Sequence, residues 1–179
     1  MNKRRIEVSD YANEIVKALS KGVFLTTKAD KVNTMVIGWG TLGVNWGRPV
    51  FAVYVREGRY TRGQLDRNPE FTVNVPLGEY DRKIFTVCGT KSGRDLDKVK
   101  EAGLTPVESE KISVPGIKEL PLTLECRVIY AQKQDLSALD EALRRRIYPQ
   151  DVDSSAPGAN RDAHVTYYGE ILDAYIIEE

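Results

Sequence analysis

The segment Asn33-Thr-Met-Val-Ile-Gly-Trp-Gly-Thr-Leu-Gly43 combines the β-branched and aromatic residues of a strand with three glycines. Glycine weakens a strand unless the chain bends there, or another backbone or a ligand approaches closely. A planar ring that lies along the strand and takes hydrogen bonds from successive backbone amides would need such access. A glycine-kinked barrel strand with Trp39 in the core explains the same residues. The segment predicts a β-rich fold and leaves both explanations open.

The rest of the chain continues this β-rich texture. Short runs of β-branched and aromatic residues at 23–27, 35–39, 50–55, 71–75 and 122–130, and a longer run at 164–177, predict strands. Short helices are expected at 9–21, 60–68, 81–87, 95–101 and 137–146, with Ser9 capping the first and Gly22 ending it. Because long helices do not alternate with the strands, we expect an antiparallel Greek-key barrel with inserted helices. We treat residues 1–179 as one domain and interpret 151–162 as a mobile loop.

Composition excludes several classes of function. Lysine plus arginine and aspartate plus glutamate both total 26, so the chain lacks the basic excess of a nucleic-acid binder. Charges interrupt the first 15 residues, so no signal-peptide core is expected. The longest uncharged stretch, 32–47, is too short and too glycine-rich to span a bilayer. The single histidine, His164, and two unpatterned cysteines predict no metal site and no catalytic dyad. We therefore expect a cytoplasmic protein.

A second notable segment, residues 56–62, leaves an apolar strand and enters a helix. Thr61 and Gln64 have the spacing of a capping box, which predicts that the helix starts at Thr61. Helix N-termini attract anions, and Arg56 and Arg59 could add charge-assisted bonds to a phosphate. The alternative is a solvated basic turn.

A third segment, residues 89–95, places Lys91 and Arg94 on either side of a Ser92-Gly93 turn. It lacks the spacing of a phosphate-binding P-loop. The cations could lie against the electron-rich edge of a cofactor. The alternative is a capped turn before a helix, with Ser92 and Asp95 as the capping residues.

Four blocks, taken in order, resemble the flavin reductase-like family with its FMN-binding split barrel, and within it the flavoredoxin branch. The resemblance runs from about residue 14 to residue 177. The blocks are the segment 33–43; Arg59-Tyr-Thr61 followed by Phe71-Thr-Val-Asn74-Val; Lys91-Ser-Gly-Arg-Asp-Leu-Asp-Lys98; and Tyr167-Tyr-Gly-Glu170. Their order and spacing are more specific than any single block.

The resemblance implies a homodimer that binds one flavin mononucleotide (FMN) per chain in a groove at or near the subunit interface. Residues 33–41 would line the flavin ring, Arg56, Arg59 and Thr61 would hold the phosphate, Lys91 and Ser92 would face the ring, and Tyr167 would close the pocket. The implied cofactor-binding residues are Asn33, Thr34, Met35, Val36, Trp39, Gly40, Thr41, Arg56, Arg59, Tyr60, Thr61, Asn74, Lys91, Ser92 and Tyr167. Relatives often carry serine or threonine where this chain has Val36 and Gly38. Backbone amides would therefore have to supply the hydrogen bonds to the flavin ring that a hydroxyl makes in those relatives.

Three functions remain open. The chain could be an FMN-dependent reductase that takes electrons from NAD(P)H. It could be an electron carrier that exchanges electrons with a redox protein. It could also be a barrel without flavin that serves as a dimeric binding module. We assign no catalytic residue, because a bound flavin would itself perform the redox chemistry.

Overall fold

The computed structural model describes residues 1–153 and 160–178, so the predicted loop at 151–162 lies partly outside the described residues. The strands are β1 (Asn2–Arg5), β2 (Val23–Lys28), β3 (Val32–Ile37), β4 (Gly40–Asn45), β5 (Arg48–Arg56), β6 (Glu70–Val75), β7 (Pro106–Val107), β8 (Gly116–Ile117), β9 (Leu122–Lys133) and β10 (His164–Glu178). The helices are α1 (Ala12–Leu19), α2 (Tyr60–Arg67), α3 (Arg82–Thr90), α4 (Lys98–Ala102) and α5 (Glu141–Ile147).

Eight strands form one antiparallel sheet in the order β3-β2-β6-β9-β10-β5-β4, with β1 added beside β10. Strand β10 is long enough to pair with β5 through its first half and with β1 through its last residues. The two end strands, β3 and β4, are consecutive in the chain and are joined only by Gly38 and Trp39. The sheet therefore curls until its ends lie close without closing into a full barrel. This confirms the predicted antiparallel split barrel.

Two large apolar clusters stabilise the fold, beside a small third one formed by Val107, Tyr175 and Ile177. The first fills the barrel, where inward-facing residues such as Leu25, Phe51 and Leu124 are fully buried. The second lies between the outer face of the sheet and α3 and α4, where Phe24 contacts the Ile84 and Cys88 side of α3. Alternate residues of β2 thus serve two cores, because successive strand side chains point to opposite faces.

Two glycines lie at helix ends: Gly103 is the C-cap of α4, and Gly22, which was expected to end α1, follows the C-cap Ser20 by two residues. Gly22 and Gly103 have φ angles of 102° and 68°, values that a side chain disfavours. Asp81 caps α3 through a 2.8 Å bond from the Lys83 amide, which confirms the start of that helix.

Other local predictions were wrong. Ser9 makes no cap; it lies in a 3₁₀ turn at Val8–Tyr11, and α1 begins only at Ala12. The helix expected at 95–101 begins at Lys98, because Asp97 supplies the cap, and Ser92 and Asp95 belong to a preceding turn. The helix expected at 137–146 is a 3₁₀ turn followed by α5, which Asp140 caps.

The segment 33–43 is two strands. The structure ends β3 at Ile37 and starts β4 at Gly40, whereas a single strand was expected at 35–39. Gly40 lies against Phe51, where a Cβ would come within 2.8 Å of the phenyl ring. This close approach explains why residue 40, one of the three glycines of the segment, is a glycine. None of the helices in the described part of the chain is long and apolar enough to cross a membrane.

Candidate functional site

A polar cavity of about 210 Å³ lies where β3, the start of α2, the end of α3 and the loop before α4 meet. Eight of the cofactor-binding residues that the resemblance implies line this cavity: Asn33, Met35, Val36, Arg59, Tyr60, Thr61, Lys91 and Ser92. Three segments that are up to 60 residues apart in the chain are therefore brought to one place.

The charge of this cavity has one sign. Four cationic residues line it, Arg59, Lys91, Arg94 and Lys98, and no aspartate or glutamate is among the lining residues. Three of these cations are exposed at the rim, whereas Lys98 is only 4% exposed. Such a site favours an anion, because positive potential in a partly closed cleft is weakly screened.

The start of α2 adds to this potential. Arg59 is the residue before the helix, and its side chain makes no capping hydrogen bond. The expected capping box is wrong: Thr61 lies inside the helix, and the Gln64 amide donates to Asp30 Oδ1 and to the Lys31 carbonyl. The first amides of α2 are therefore not capped by the residue before the helix, and Arg59, Tyr60 and Thr61 at this end of α2 line the same cavity as the cations.

Asn33, Thr61 and Gly93 form the floor of the cavity. The Asn33 side chain donates from Nδ2 to Thr61 Oγ1 at 3.0 Å, and both residues are buried. Its Oδ1 is buried without a hydrogen-bond partner in the described structure. Gly93 approaches so closely that a Cβ there would lie 2.2 Å from Asn33 Oδ1. Only glycine fits at this position.

Trp39 lies outside this cavity, in an aromatic cluster on the barrel rim. Its ring, 41% exposed, rests on the buried imidazole of His164 at a centroid distance of 4.8 Å. His164 Nδ1 and the Tyr148 hydroxyl are 2.9 Å apart, and that hydroxyl also bonds Gln134. Burial, with Arg56 and Arg59 nearby, lowers the pKa of His164 to about 4, so the imidazole is neutral at pH 7.

The other predicted site residues lie elsewhere. Thr34 and Asn74 belong to a buried network in which Thr26 Oγ1 is 2.9 Å from Thr34 Oγ1 and donates to Asn74 Oδ1 at 2.8 Å. Thr41 bonds the Tyr54 hydroxyl at 3.0 Å.

Two more predicted residues, Arg56 and Tyr167, bind acidic side chains outside the cavity, one in the loop before β10 and one in α2. The Arg56 guanidinium is 3.8 Å from the Asp162 carboxylate. The buried Tyr167 donates to Asp66 Oδ1 of α2 at 2.8 Å, and burial together with this carboxylate raises the pKa of the phenol. The cavity is not lined by either residue pair, Arg56 with Asp162 or Tyr167 with Asp66.

Two cavity residues were missed by sequence reasoning. Lys98 and Cys88 line the cavity, but Lys98 falls in a charged helix and Cys88 in no reactive motif. Burial raises the pKa of the Cys88 thiol to about 11. The only available signal was that Lys98 ends the block beginning at Lys91. Within the described residues, no group of three His, Cys, Asp or Glu side chains could hold a metal ion.

Comparison with known proteins places the chain in a family. The model of the flavin reductase like domain matches residues 16–179. An uncharacterized protein of Archaeoglobus fulgidus is 33% identical over 105 residues, which is 59% of this chain and 58% of that protein. The chain thus spans little more than half the length of the curated relatives it matches.

Two solved structures share the fold. Flavoredoxin from Methanosarcina acetivorans is 27% identical with a TM-score of 0.61, covering 88% of this chain and 68% of that one. The FMN-binding domain of a flavin reductase-like enzyme from Shewanella baltica OS155 is 15% identical with a TM-score of 0.63, covering 98% and 77%. With the split barrel and the family match over residues 16–179, the chain belongs to the flavin reductase-like family.

Proposed function

We propose that this protein binds one FMN per chain and passes electrons through it. The observation that carries the proposal is the cavity lined by four cations and no carboxylate. A phosphate monoester carries between one and a half and two negative charges at neutral pH, roughly, and would neutralise part of this charge. The two named relatives, a flavoredoxin and an FMN-binding domain, support a flavin as the ligand.

The phosphate end of the ligand fits the start of α2. Arg59 can donate to two phosphate oxygens at once, and the uncapped first amides of α2 point positive charge at the same place. Thr61 and Asn33 are already bonded to each other, so in this proposal they shape the floor while the cations bind.

The ring end fits the split between β3 and β4. Within the described residues β3 pairs with β2 alone, so no strand pairs with the N–H and C=O groups of its other edge. Lys98 bonds the Thr34 carbonyl on that edge, and alternate residues of an antiparallel strand face the same side. We infer that the backbone groups of Val36 face the ring site, which would compensate for the missing hydroxyl there. FMN supplies the redox chemistry when bound.

A visible absorption spectrum tests the cofactor proposal. The purified protein is incubated with FMN, free ligand is removed, and the retained flavin is compared with the protein concentration. About one flavin per chain supports the proposal. A folded protein that stays colourless would mean that this barrel is a binding module without flavin.

We propose NAD(P)H as the electron donor, with a redox protein as the alternative. The exposed ring of Trp39, which rests on the buried and neutral His164, offers an aromatic surface at the rim, on which a nicotinamide could be positioned for transfer. The likeness to a flavoredoxin favours the carrier. Rapid anaerobic bleaching of the holoprotein by NADH or NADPH supports the reductase. Reduction only by a ferredoxin-like protein supports the carrier.

We also propose a homodimer formed through the outer face of β4, β9 and β10. Trp46, Tyr130 and Tyr168 pack together there at centroid distances of 5.5 to 5.8 Å, and the neighbouring Val44 is 79% exposed. Exposed aromatic patches are typical of protein interfaces. Val44→Asp should give a monomer in sedimentation, and the matched control Val16→Asp, on the exposed face of α1, should stay dimeric.

A further inference from the structure

Lys98 is the buried cation of the cavity, and its bonds are incomplete. Its ammonium donates to the Cys88 carbonyl at 2.9 Å and to the Thr34 carbonyl at 3.1 Å. An ammonium group has three N–H donors. Because Lys98 also lines the cavity, a third donor is available to a ligand.

The charge of Lys98 has no partner of opposite sign in the described structure. No carboxylate forms an ion pair with it among residues 1–153 and 160–178. The neighbouring Cys88 thiol stays neutral at pH 7, because burial raises its pKa to about 11. Burial, with the nearby charge of Arg59, lowers the pKa of Lys98 itself. A buried charge left without a counterion is costly.

We propose that Lys98 binds a phosphate oxygen of FMN and is the residue by which this chain distinguishes FMN from riboflavin. The inference rests on the proposed function and adds a residue that the sequence did not indicate. It also explains why the α3–α4 segment forms one wall of the cavity: the same ammonium holds Thr34 of β3, Cys88 of α3 and the ligand.

A purely structural role would make a different prediction. If Lys98 only ties β3 to α3, its loss weakens the binding of FMN and riboflavin equally, since both share the flavin ring. If Lys98 also binds the phosphate, its loss weakens FMN binding more than riboflavin binding. The ratio of the two affinities therefore separates the roles.

The test uses Lys98→Met, which removes the charge and keeps most of the apolar stem, with Lys100→Met on the exposed face of α4 as the matched control. Affinities for FMN and riboflavin are measured by quenching of flavin fluorescence. Loss of a hydrogen bond to a charged group should weaken FMN binding by about ten- to a hundredfold. Riboflavin binding should weaken by a smaller factor, because riboflavin is affected only by the loss of the bonds to the Thr34 and Cys88 carbonyls, so the ratio of FMN to riboflavin affinity should drop.

Lys98→Gln covers the case in which Lys98→Met does not fold. Its amide keeps two N–H donors for the Thr34 and Cys88 carbonyls while removing the charge, and the same drop in the FMN-to-riboflavin ratio is expected. An unchanged ratio in a folded variant overturns the assignment of Lys98, even if wild-type protein binds FMN. A change confined to the preference for NADPH over NADH also overturns it. Wild-type protein that binds neither flavin rejects the proposed function itself.

Discussion

Gly93→Ala should damage the cavity floor in a way that the structure allows one to calculate. The new Cβ would lie 2.2 Å from Asn33 Oδ1 and 2.7 Å from Tyr60 Cδ1. A carbon and an oxygen in ordinary contact are roughly 3.3 Å apart, so the Asn33 amide must retreat by about 1 Å. That movement breaks its 3.0 Å bond to Thr61.

Two costs add. Overpacking a tight site costs about 1–3 kcal/mol, and the net loss of one hydrogen bond costs about 0.5–1.5 kcal/mol. We expect a loss of about 2–4 kcal/mol in the free energy of unfolding. For a chain of this length that corresponds to a fall in Tm of roughly 5–15 °C.

Thermal unfolding followed by circular dichroism measures the fall in Tm. Flavin fluorescence titration measures the accompanying loss of FMN affinity. Gly63→Ala is the control, because Gly63 lies in α2, the helix that carries Thr61, and a Cβ there would meet no atom within 4 Å. The control should be neutral or more stable by about 0.5–1 kcal/mol. If Gly93→Ala behaves like Gly63→Ala in both assays, the close packing of Gly93 on Asn33 is refuted.

Three further predictions concern single side chains. Arg59→Ala should raise the Kd for FMN by about ten- to a hundredfold, whereas Arg67→Ala at the far end of α2 should not; equal Kd values would remove Arg59 from the site. His164 has a folded-state pKa of about 4 against 6.5 when unfolded, so it contributes stability above about pH 6.5 that is lost as the pH falls towards 4. Urea unfolding at several pH values should show this loss, at up to about 1.4 kcal/mol per pH unit, in wild type and not in His164→Gln; parallel curves would contradict it. Asp81→Ala removes the cap of α3 and should cost about 0.5–2 kcal/mol of stability, measured by the same unfolding assay.

Local chemistry explains which predictions from the sequence were correct. Asp81 begins α3, and Gly22 follows the end of α1, through interactions within a few residues, so the sequence around them is sufficient. The long β-rich runs were recognisable for the same reason. Ser9 and Thr61 show the limit, because both have the side chain of a cap and neither caps a helix. Ser9 lies in a 3₁₀ turn before α1, and Thr61 bonds Asn33, a residue 28 positions away.

Strands without an apolar pattern could not be predicted. β1 is made of Asn2, Lys3, Arg4 and Arg5, and it is a strand only because the end of β10 offers it a partner. β4 is mostly exposed, and it forms because it pairs with β5. In both cases the hydrogen bonds that stabilise the strand come from distant residues, which local propensity does not encode.

By itself, the sequence determined the antiparallel barrel, its family and most of the segments that meet at the cavity, since these depend on the order and spacing of short motifs. Tertiary structure alone decided which side chains meet there. It put Trp39 on His164 and outside the cavity, and it made Gly93 the floor under Asn33. It also buried Lys98 beside three other cations, with no acidic residue lining the same cavity. Burial and the sign of neighbouring charge depend on residues far apart in the chain, so only the folded protein brings Lys98 of a charged helix into a cavity lined by other cations.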